Sequence, residues 1–296
     1  MSELMNGLIV KSIAGFCYVE VGEKVYECKP RGTFRKEGIS PVAGDRVEVS
    51  INGEKGVVER ISERKNLLIR PPLANIDKLF IVSSYAVPSV NTMLIDRMIA
   101  IAEHFSIEPM LVFNKADLGD FTDIAKIYSN IGYKTFIVSA ETGLGLECIK
   151  DELKGSISAF SGNSGVGKSS ILNKIMPELA LSTGDVSEKL GRGRHTTRRV
   201  ELFKVEGGYV ADTPGFSSFE ITDFELTDKD ELMYLFKEFD PYLGQCRFNS
   251  CAHITEPGCA VLAGVGSGMI SKSRHQNYVL MYDSIKNIKP WELNKK

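Results

Sequence analysis

Residues 162–170 read "GNSGVGKSS" and residues 114–117 read "NKAD", and the order of these two stretches decides the fold. The first fits the spacing G-x-x-x-x-G-K-S, with Gly162, Gly167, Lys168 and Ser169 at the fixed positions. Glycines in such a loop let backbone N–H groups approach phosphate oxygens. The lysine reaches the β- and γ-phosphates, and the serine hydroxyl can hold Mg²⁺. Asn163, Ser164, Gly165, Val166 and Ser170 complete the candidate phosphate site. The strand "SISAFSG" is expected before it and a helix near 168–176 after it, which aims a helix N-terminus at the anion.

"NKAD" is the candidate base reader. The Asp117 carboxylate can accept from N1–H and from the 2-amino group of guanine. Adenine offers an acceptor at N1 and no such amine, and a site built for those bonds rejects the analogue lacking them. Asn114 is placed to brace neighbouring loops, and the Lys115 stem, ahead of Ala116, can lie over the base. "VSAETG" at 138–143 is a companion loop, in which Ser139 precedes Ala140 and the Ala140 N–H can meet guanine O6.

Two further stretches fit a nucleoside triphosphate with Mg²⁺. "DTPG" at 212–215 ends an expected strand, with Asp212 placed to hold Mg²⁺ through water and Gly215 to meet the γ-phosphate. "GRGRHTTRR" at 191–199 offers Thr196 or Thr197 to the Mg²⁺ shell, Thr197 being the favoured of the two. The order is therefore base loop, second base loop, phosphate loop, first switch, second switch. Guanine-nucleotide proteins ordinarily begin with the phosphate loop, so the chain is a circular permutation. All these loops leave the carboxyl ends of strands in a parallel sheet, so the site survives the new connections. The former ends join near Lys154-Gly155.

Around this core the sequence predicts a multidomain fold. Residues 1–67 read as all-β, with "FCYVEVGEKVYECK" folding about Gly22-Glu23 and "DRVEVSINGEKGVVERI" about Asn52-Gly53. That size and pattern suit an OB-fold barrel, which often binds oligonucleotides. Pro71-Pro72 reads as a linker. Residues 68–222 alternate strands ("KLFIVSS", "PMLVFNKAD", "KTFIVSA") with helices at 92–105, near 122–131 and near 145–153. This is a central α/β domain with a mostly parallel sheet. A hairpin over 200–212 is expected to turn at Gly207-Gly208. Residues 223–296 form a small helical domain: "DKDELMYLFKEFD" reads as helix, a cysteine cluster follows, and the end from about 269 is helical and basic.

Cys246-x₄-Cys251-x-His253-x₅-Cys259 offers three thiolates and one imidazole. That is a full tetrahedral set for one structural Zn²⁺ per chain, with no position left open for catalysis. Cys17, Cys28 and Cys148 are scattered and read as core or surface thiols. Net charge is −2, so any nucleic-acid binding must come from local patches. Lys189, Arg192, Arg194, Arg198 and Arg199 form one such patch, and Lys272, Arg274, His275, Lys286 and Lys289 a weaker one. No apolar run approaches the roughly 20 residues that span a bilayer. "MSELMNGLIV" lacks a basic stretch followed by an apolar core, so no membrane partner and a cytoplasmic location are expected, as is a monomer.

Taken together, "NKAD", "GNSGVGKSS", "GRHTT", "DTPGF" and "CRFNSCAHITEPGC" resemble the ribosome small-subunit-dependent GTPase A family over the whole chain. The resemblance implies a late-acting factor in maturation of the small ribosomal subunit. It implies hydrolysis of GTP to GDP and phosphate stimulated by that subunit, and a barrel that contacts its rRNA. Many GTPases place a water-orienting glutamine after the DxxG glycine, where this chain has Phe216. His195, beside the switch threonines, is the nearest polar candidate to position the water; contact with phosphate or RNA, or simple exposure, is the competing role. Phe216 also leaves open a second reading, a GTP-regulated RNA-binding docking factor with incidental hydrolysis. Because the second switch runs straight into the C-terminal domain, nucleotide state is expected to reorient that domain.

Overall fold

The computed structural model describes residues 4–69, 71–85, 89–177, 200–212 and 228–288. Alternating residues build the N-terminal barrel from β1 (Leu4–Ile13), β2 (Phe16–Val21), β3 (Lys24–Pro30), β4 (Arg46–Asn52) and β5 (Lys55–Ile61). The strands pair in the order β1-β2-β3-β5-β4 and close through β1–β4. Ile9, Cys17, Val19, Cys28, Val47, Val49 and Val58 fill the interior, as period-two alternation requires. Cys148, by contrast, is exposed. The first hairpin turns at Gly22-Glu23 as expected. The second turns one residue later than expected, at Gly53-Glu54, because Asn52 still pairs with Lys55 and Gly53 takes the positive φ of 63°. Helix α1 (Gly32–Lys36), which buries Phe34, was not evident in the sequence.

Pro71-Pro72 is not a free linker. β6 (Leu67–Ile69) and β7 (Pro72–Ala74) pair, with Pro72 itself in β7 opposite Ile69. Asn66 reads both backbone groups of Ile76, and Asn75 bonds the Lys65 N–H and the Gly44 carbonyl. Gly44 lies so close to this segment that an added Cβ would stand 2.0 Å from the Ala74 oxygen.

The central domain runs β8 (Lys78–Ser84), α2 (Thr92–His104), β9 (Glu108–Asn114), α3 (Thr122–Ile131), β10 (Lys134–Ile137), α4 (Leu146–Leu153), β11 (Ile157–Ser161), α5 (Lys168–Ile175), β12 (Glu201–Val205) and β13 (Gly208–Asp212). Its strands lie in the order β10-β9-β8-β11-β13-β12. All neighbours are parallel except β12–β13. β11 is central, flanked by β8 from upstream and β13 from downstream, so the permutation moves the chain ends and leaves the sheet intact. The β12–β13 hairpin turns at Glu206-Gly207 (φ 46° and 76°), not at Gly207-Gly208. Gly208 is already in the strand, pressed against the Leu153 carbonyl.

The barrel and the central sheet are continuous. β1 pairs with β4 over Leu4–Leu8, shifts register between Ile9 and Lys11, and then pairs with β12 at Lys11↔Glu201. A bulge bends a strand and raises its twist, which here turns the end of β1 out to the edge of the other sheet.

In the C-terminal part, residues 232–235 and 237–242 form two short 3-10 helices rather than the single helix expected, with Pro241 inside the second. A helix at Ala260–Gly266, unforeseen from sequence, and the expected one at Lys272–Ile285 follow. Phe236, Phe239, Tyr278 and Met281 share one core with Ile95, Met98 and Ile99 of α2. Arg274, read from sequence as a basic surface residue, is 1% exposed. It meets Asp96 of α2 at 2.7 Å and Glu238 at 2.7 Å, and it stacks over Phe236. Asn277 and Tyr128 donate to the same Asp96 carboxylate at 2.6 and 2.9 Å. His275 is buried too, against the His253 carbonyl. Neither residue can serve an RNA patch; Lys272 and Lys286 remain exposed, and Lys289 lies outside the described residues. This buried ionic junction weighs against the expected reorientation of the C-terminal domain on the core.

Candidate nucleotide site and metal centre

The carboxyl ends of β8, β9, β10, β11 and β13 gather on one edge of the sheet, where a doubly wound fold binds ligands. Three loops leaving it are locked together by Asn114. Its Nδ2 donates to the Val166 carbonyl at 2.9 Å, and its Oδ1 accepts from the Ala140 N–H at 3.0 Å. One buried amide thus joins the candidate base loop, companion loop and phosphate loop, the bracing role read from the sequence. It also explains a glycine: a Cβ on Gly167 would stand 2.2 Å from Asn114 Nδ2. Gly162 is similarly tight against the Val82 carbonyl, at 2.2 Å. Gly162, Gly165 and Gly167 all have positive φ, which only glycine adopts without strain.

The phosphate loop opens directly into α5, with Gly167 at its N-cap and Lys168 and Ser169 in its first turn. Asn163, Ser164, Gly165 and Val166 form the loop itself, and Ser170 follows in the helix. The Lys168 ammonium folds back over the loop and donates to the Gly162 and Asn163 carbonyls. It is therefore held over the candidate phosphate loop by that loop's own carbonyls.

Asp117 is exposed at the rim, and one of its carboxylate oxygens accepts from the buried Ser139 hydroxyl. The same Ser139 oxygen accepts from the Thr142 N–H at 3.2 Å. Ser139 therefore orients the Asp117 carboxylate through one of its two oxygens, a role that spacing alone did not show. Lys115 takes a positive φ of 67° between Asn114 and Ala116, whose N–H bonds the Val138 carbonyl. The Ala140 N–H, expected to meet guanine O6, donates to Asn114 Oδ1 in this structure. Tyr85, unremarked in the sequence, covers Gly119 beside the reader: an added Cβ there would stand 2.1 Å from its ring. Asp212 ends β13 on this edge. His195, Thr196, Thr197, Gly215, Phe216 and the basic stretch 189–199 lie outside the described residues.

Among the described residues one group could hold a metal ion: Cys246, Cys251, His253 and Cys259, with ligand atoms all within 4.8 Å of one another. His253 Nδ1 stands 3.5 Å from Cys246 Sγ and 3.4 Å from Cys259 Sγ, and those sulfurs are 3.9 Å apart. Burial lowers the His253 pKa and favours the neutral imidazole a metal requires. Burial pushes the Cys251 thiol up to about 12, so a metal would have to displace its proton. Sequence reasoning missed the frame of this loop. Glu256 accepts from the N–H groups of Ala252, Ile254 and Thr255. Tyr278 donates to the Ala252 carbonyl, and His275 meets the His253 carbonyl at 2.7 Å.

No helix of the described residues is long and apolar enough to cross a membrane. Two family profiles match the chain: RsgA N-terminal domain over residues 6–58 and RsgA GTPase over residues 61–222. The chain is 46% identical over 289 residues to "Small ribosomal subunit biogenesis GTPase RsgA" of Caldanaerobacter subterraneus subsp. tengcongensis, covering 96% of this chain and 97% of that one. It is 45% identical over 294 residues to the protein of that name in Geobacillus sp., covering 97% and 99%. Among solved structures it is similar to YjeQ from Thermotoga maritima (TM-score 0.85, 38% identity, 97% of this chain and 100% of that one). It is also similar to YloQ, described as a circularly permuted GTPase (TM-score 0.81, 36% identity, 97% of each chain). With a permuted sheet, an Asn114-locked set of loops and relatives aligned almost end to end, the chain belongs to the RsgA GTPase family.

Proposed function

We propose that this protein hydrolyses GTP to GDP and phosphate as a cytoplasmic, monomeric maturation factor of the small ribosomal subunit, and that the subunit stimulates turnover. The observation that supports the reading is the Asn114 junction, which ties the candidate base loop to the candidate phosphate loop through one buried amide. Asn114, Lys115, Ala116, Asp117, Ser139 and Ala140 form the base side. Residues 162–170 and Gly215 form the phosphate side. Ser169, Thr197 and Asp212 are the candidate Mg²⁺ ligands, and His195 the candidate for positioning water. The barrel of residues 1–67 is the rRNA-contacting unit, residues 68–222 the GTPase domain, and residues 223–296 the metal-binding domain. GTP turnover measured with and without purified small subunits tests this reading. Acceleration is the expected result. Equal rates would favour the docking factor with incidental hydrolysis, which Phe216 in the glutamine position would suit.

Lys168→Ala is expected to lower GTP affinity or turnover at least about a hundredfold, since the ammonium is a preorganised charge at the transferring phosphoryl group. The circular dichroism spectrum should stay unchanged. Normal turnover in that variant would remove the loop from the site.

The metal is Zn²⁺ in this reading. Bonds of about 2.3 Å to sulfur and about 2.0–2.1 Å to nitrogen give tetrahedral edges of about 3.8 Å (S···S) and about 3.5 Å (S···N). The distances of 3.9, 3.5 and 3.4 Å agree. Metal analysis is expected to return about one Zn per chain. In such domains metal affinity is folding free energy. Cys251→Ala should therefore open residues 228–288 to limited proteolysis while GTP binding, carried by other elements, persists. A zinc-free protein resistant to the protease would defeat this assignment.

A further inference from the structure

Lys11, Glu201 and Asp212 stand side by side across β1, β12 and β13. β13 runs parallel to β11, and β11 leads into the phosphate loop at Gly162. The row therefore lies at the nucleotide edge of the sheet, whereas the hairpin tip at Glu206-Gly207 lies at the other. In sequence β12 follows the stretch carrying Thr196 and Thr197, and β13 precedes Gly215. The strand pair joining the two candidate switches is thus gripped, at its nucleotide end, by a strand of the barrel.

Lys11 Nζ meets Glu201 Oε2 in an ion pair whose side chains are 28% and 38% exposed. A second pair, Lys204 with Glu20 at 2.6 Å, joins the hairpin-tip end of β12 to β2. The first half of β1, Leu4–Leu8, is locked into the barrel by its pairing with β4. Load on the barrel therefore passes along a paired strand to Lys11 rather than through a flexible tether.

We infer that Lys11 and Glu201 are positioning residues for GTP hydrolysis, through which the barrel sets the nucleotide-side end of the β12–β13 hairpin. Neither residue touches the ligand; they act through the strands that lead to the switch segments. The inference rests on the GTPase reading above. It implies that whatever binds the barrel adjusts turnover from the edge of the sheet, and that any factor by which that partner changes nucleotide affinity is returned as the same factor in the nucleotide's effect on the partner's affinity.

The test uses the full chain carrying Lys11→Glu, Glu201→Lys, and both together. Steady-state GTP turnover and release of a fluorescent GDP analogue are read without any ribosomal subunit. Each single change sets like charges face to face. It should lower kcat and speed GDP release by about twofold to fivefold, the range a partly exposed ion pair can supply, with an unchanged Tm. The double variant restores the opposite charges and should return both rates toward wild type. Rates unmoved in the single variants would overturn the inference, as would a fall in Tm with unchanged rates, or a double variant no better than either single. The milder Lys11→Gln and Glu201→Gln serve if a charge reversal fails to fold, and unmoved rates in them overturn it equally. A wild-type chain that does not turn over GTP would sink the GTPase reading itself, a separate outcome.

Discussion

Asp117→Asn should exchange guanine for xanthine preference. Asp117 uses one oxygen to accept from the buried Ser139 hydroxyl and presents the other at the rim. Asparagine keeps a carbonyl oxygen for Ser139 and turns its amide N–H outward. Guanine, which needs acceptors for N1–H and its 2-amino group, then meets a donor, while the C2 oxygen of xanthine gains one. Sites built around such polar pairs reject the mismatched ligand by about 10⁴-fold, so the preference between GDP and XDP should move by about that order. Competition of GDP and XDP against a fluorescent guanine nucleotide measures it directly. A variant that retains wild-type GDP affinity and still refuses XDP would take Asp117 out of base recognition. Ser139→Ala is the companion experiment. It frees the carboxylate from its orienting bond and should weaken GDP binding by less than the Asp117 change, leaving the preference for guanine in place.

Arg274→Ala should destabilise the C-terminal part by about 3–5 kcal/mol. Its guanidinium is the counter-charge for Asp96 and Glu238, which are themselves almost wholly buried. Removing it leaves two carboxylates without that counter-charge in a low-dielectric setting, although Asn277 and Tyr128 still donate to Asp96. Arg274→Met, which fills most of the space, separates the lost charge from the lost volume and should recover only part of the loss. The pH dependence follows from Asp96. Burial raises its pKa even though Arg274 pulls it down. Without Arg274 the native state holds a proton at a pH where the unfolded chain has released it. The native state then binds more protons than the unfolded state, so stability falls as pH rises through that interval. The deficit of the variant should therefore be largest near neutrality and shrink as pH falls toward the ordinary carboxylate range. Urea unfolding at several pH values checks this. A deficit that stays constant or grows on acidification would mean that Asp96 and Glu238 are not the groups left uncompensated.

Much of the site was legible in the sequence because its chemistry is written in short local runs. A phosphate loop is defined within nine residues, since positive-φ glycines, a lysine and the start of a helix must be contiguous to wrap one phosphate chain. The candidate base reader and the metal ligands are similarly compact; alternating hydrophobicity marked the barrel strands, and short continuous apolar runs marked the buried parallel ones β8, β9 and β11. The permutation followed from the order of those runs alone. Contacts between distant segments were not legible. Arg274 sits in a helix rich in basic and polar residues and reads as surface until Asp96 is brought beside it from α2. The Ala140 N–H reads as a free donor until Asn114 takes it. Pro71-Pro72 reads as a linker until Asn66 and Asn75 stitch its flanks. Lys11 and Glu201, ordinary charges on two strands, meet only because a register shift in β1 turns it toward β12. Local patterns encode backbone conformation and the chemistry of single loops. Which charges are neutralised, and which edges are covered, depends on surfaces that come together only when the chain folds, and that the tertiary structure alone decided.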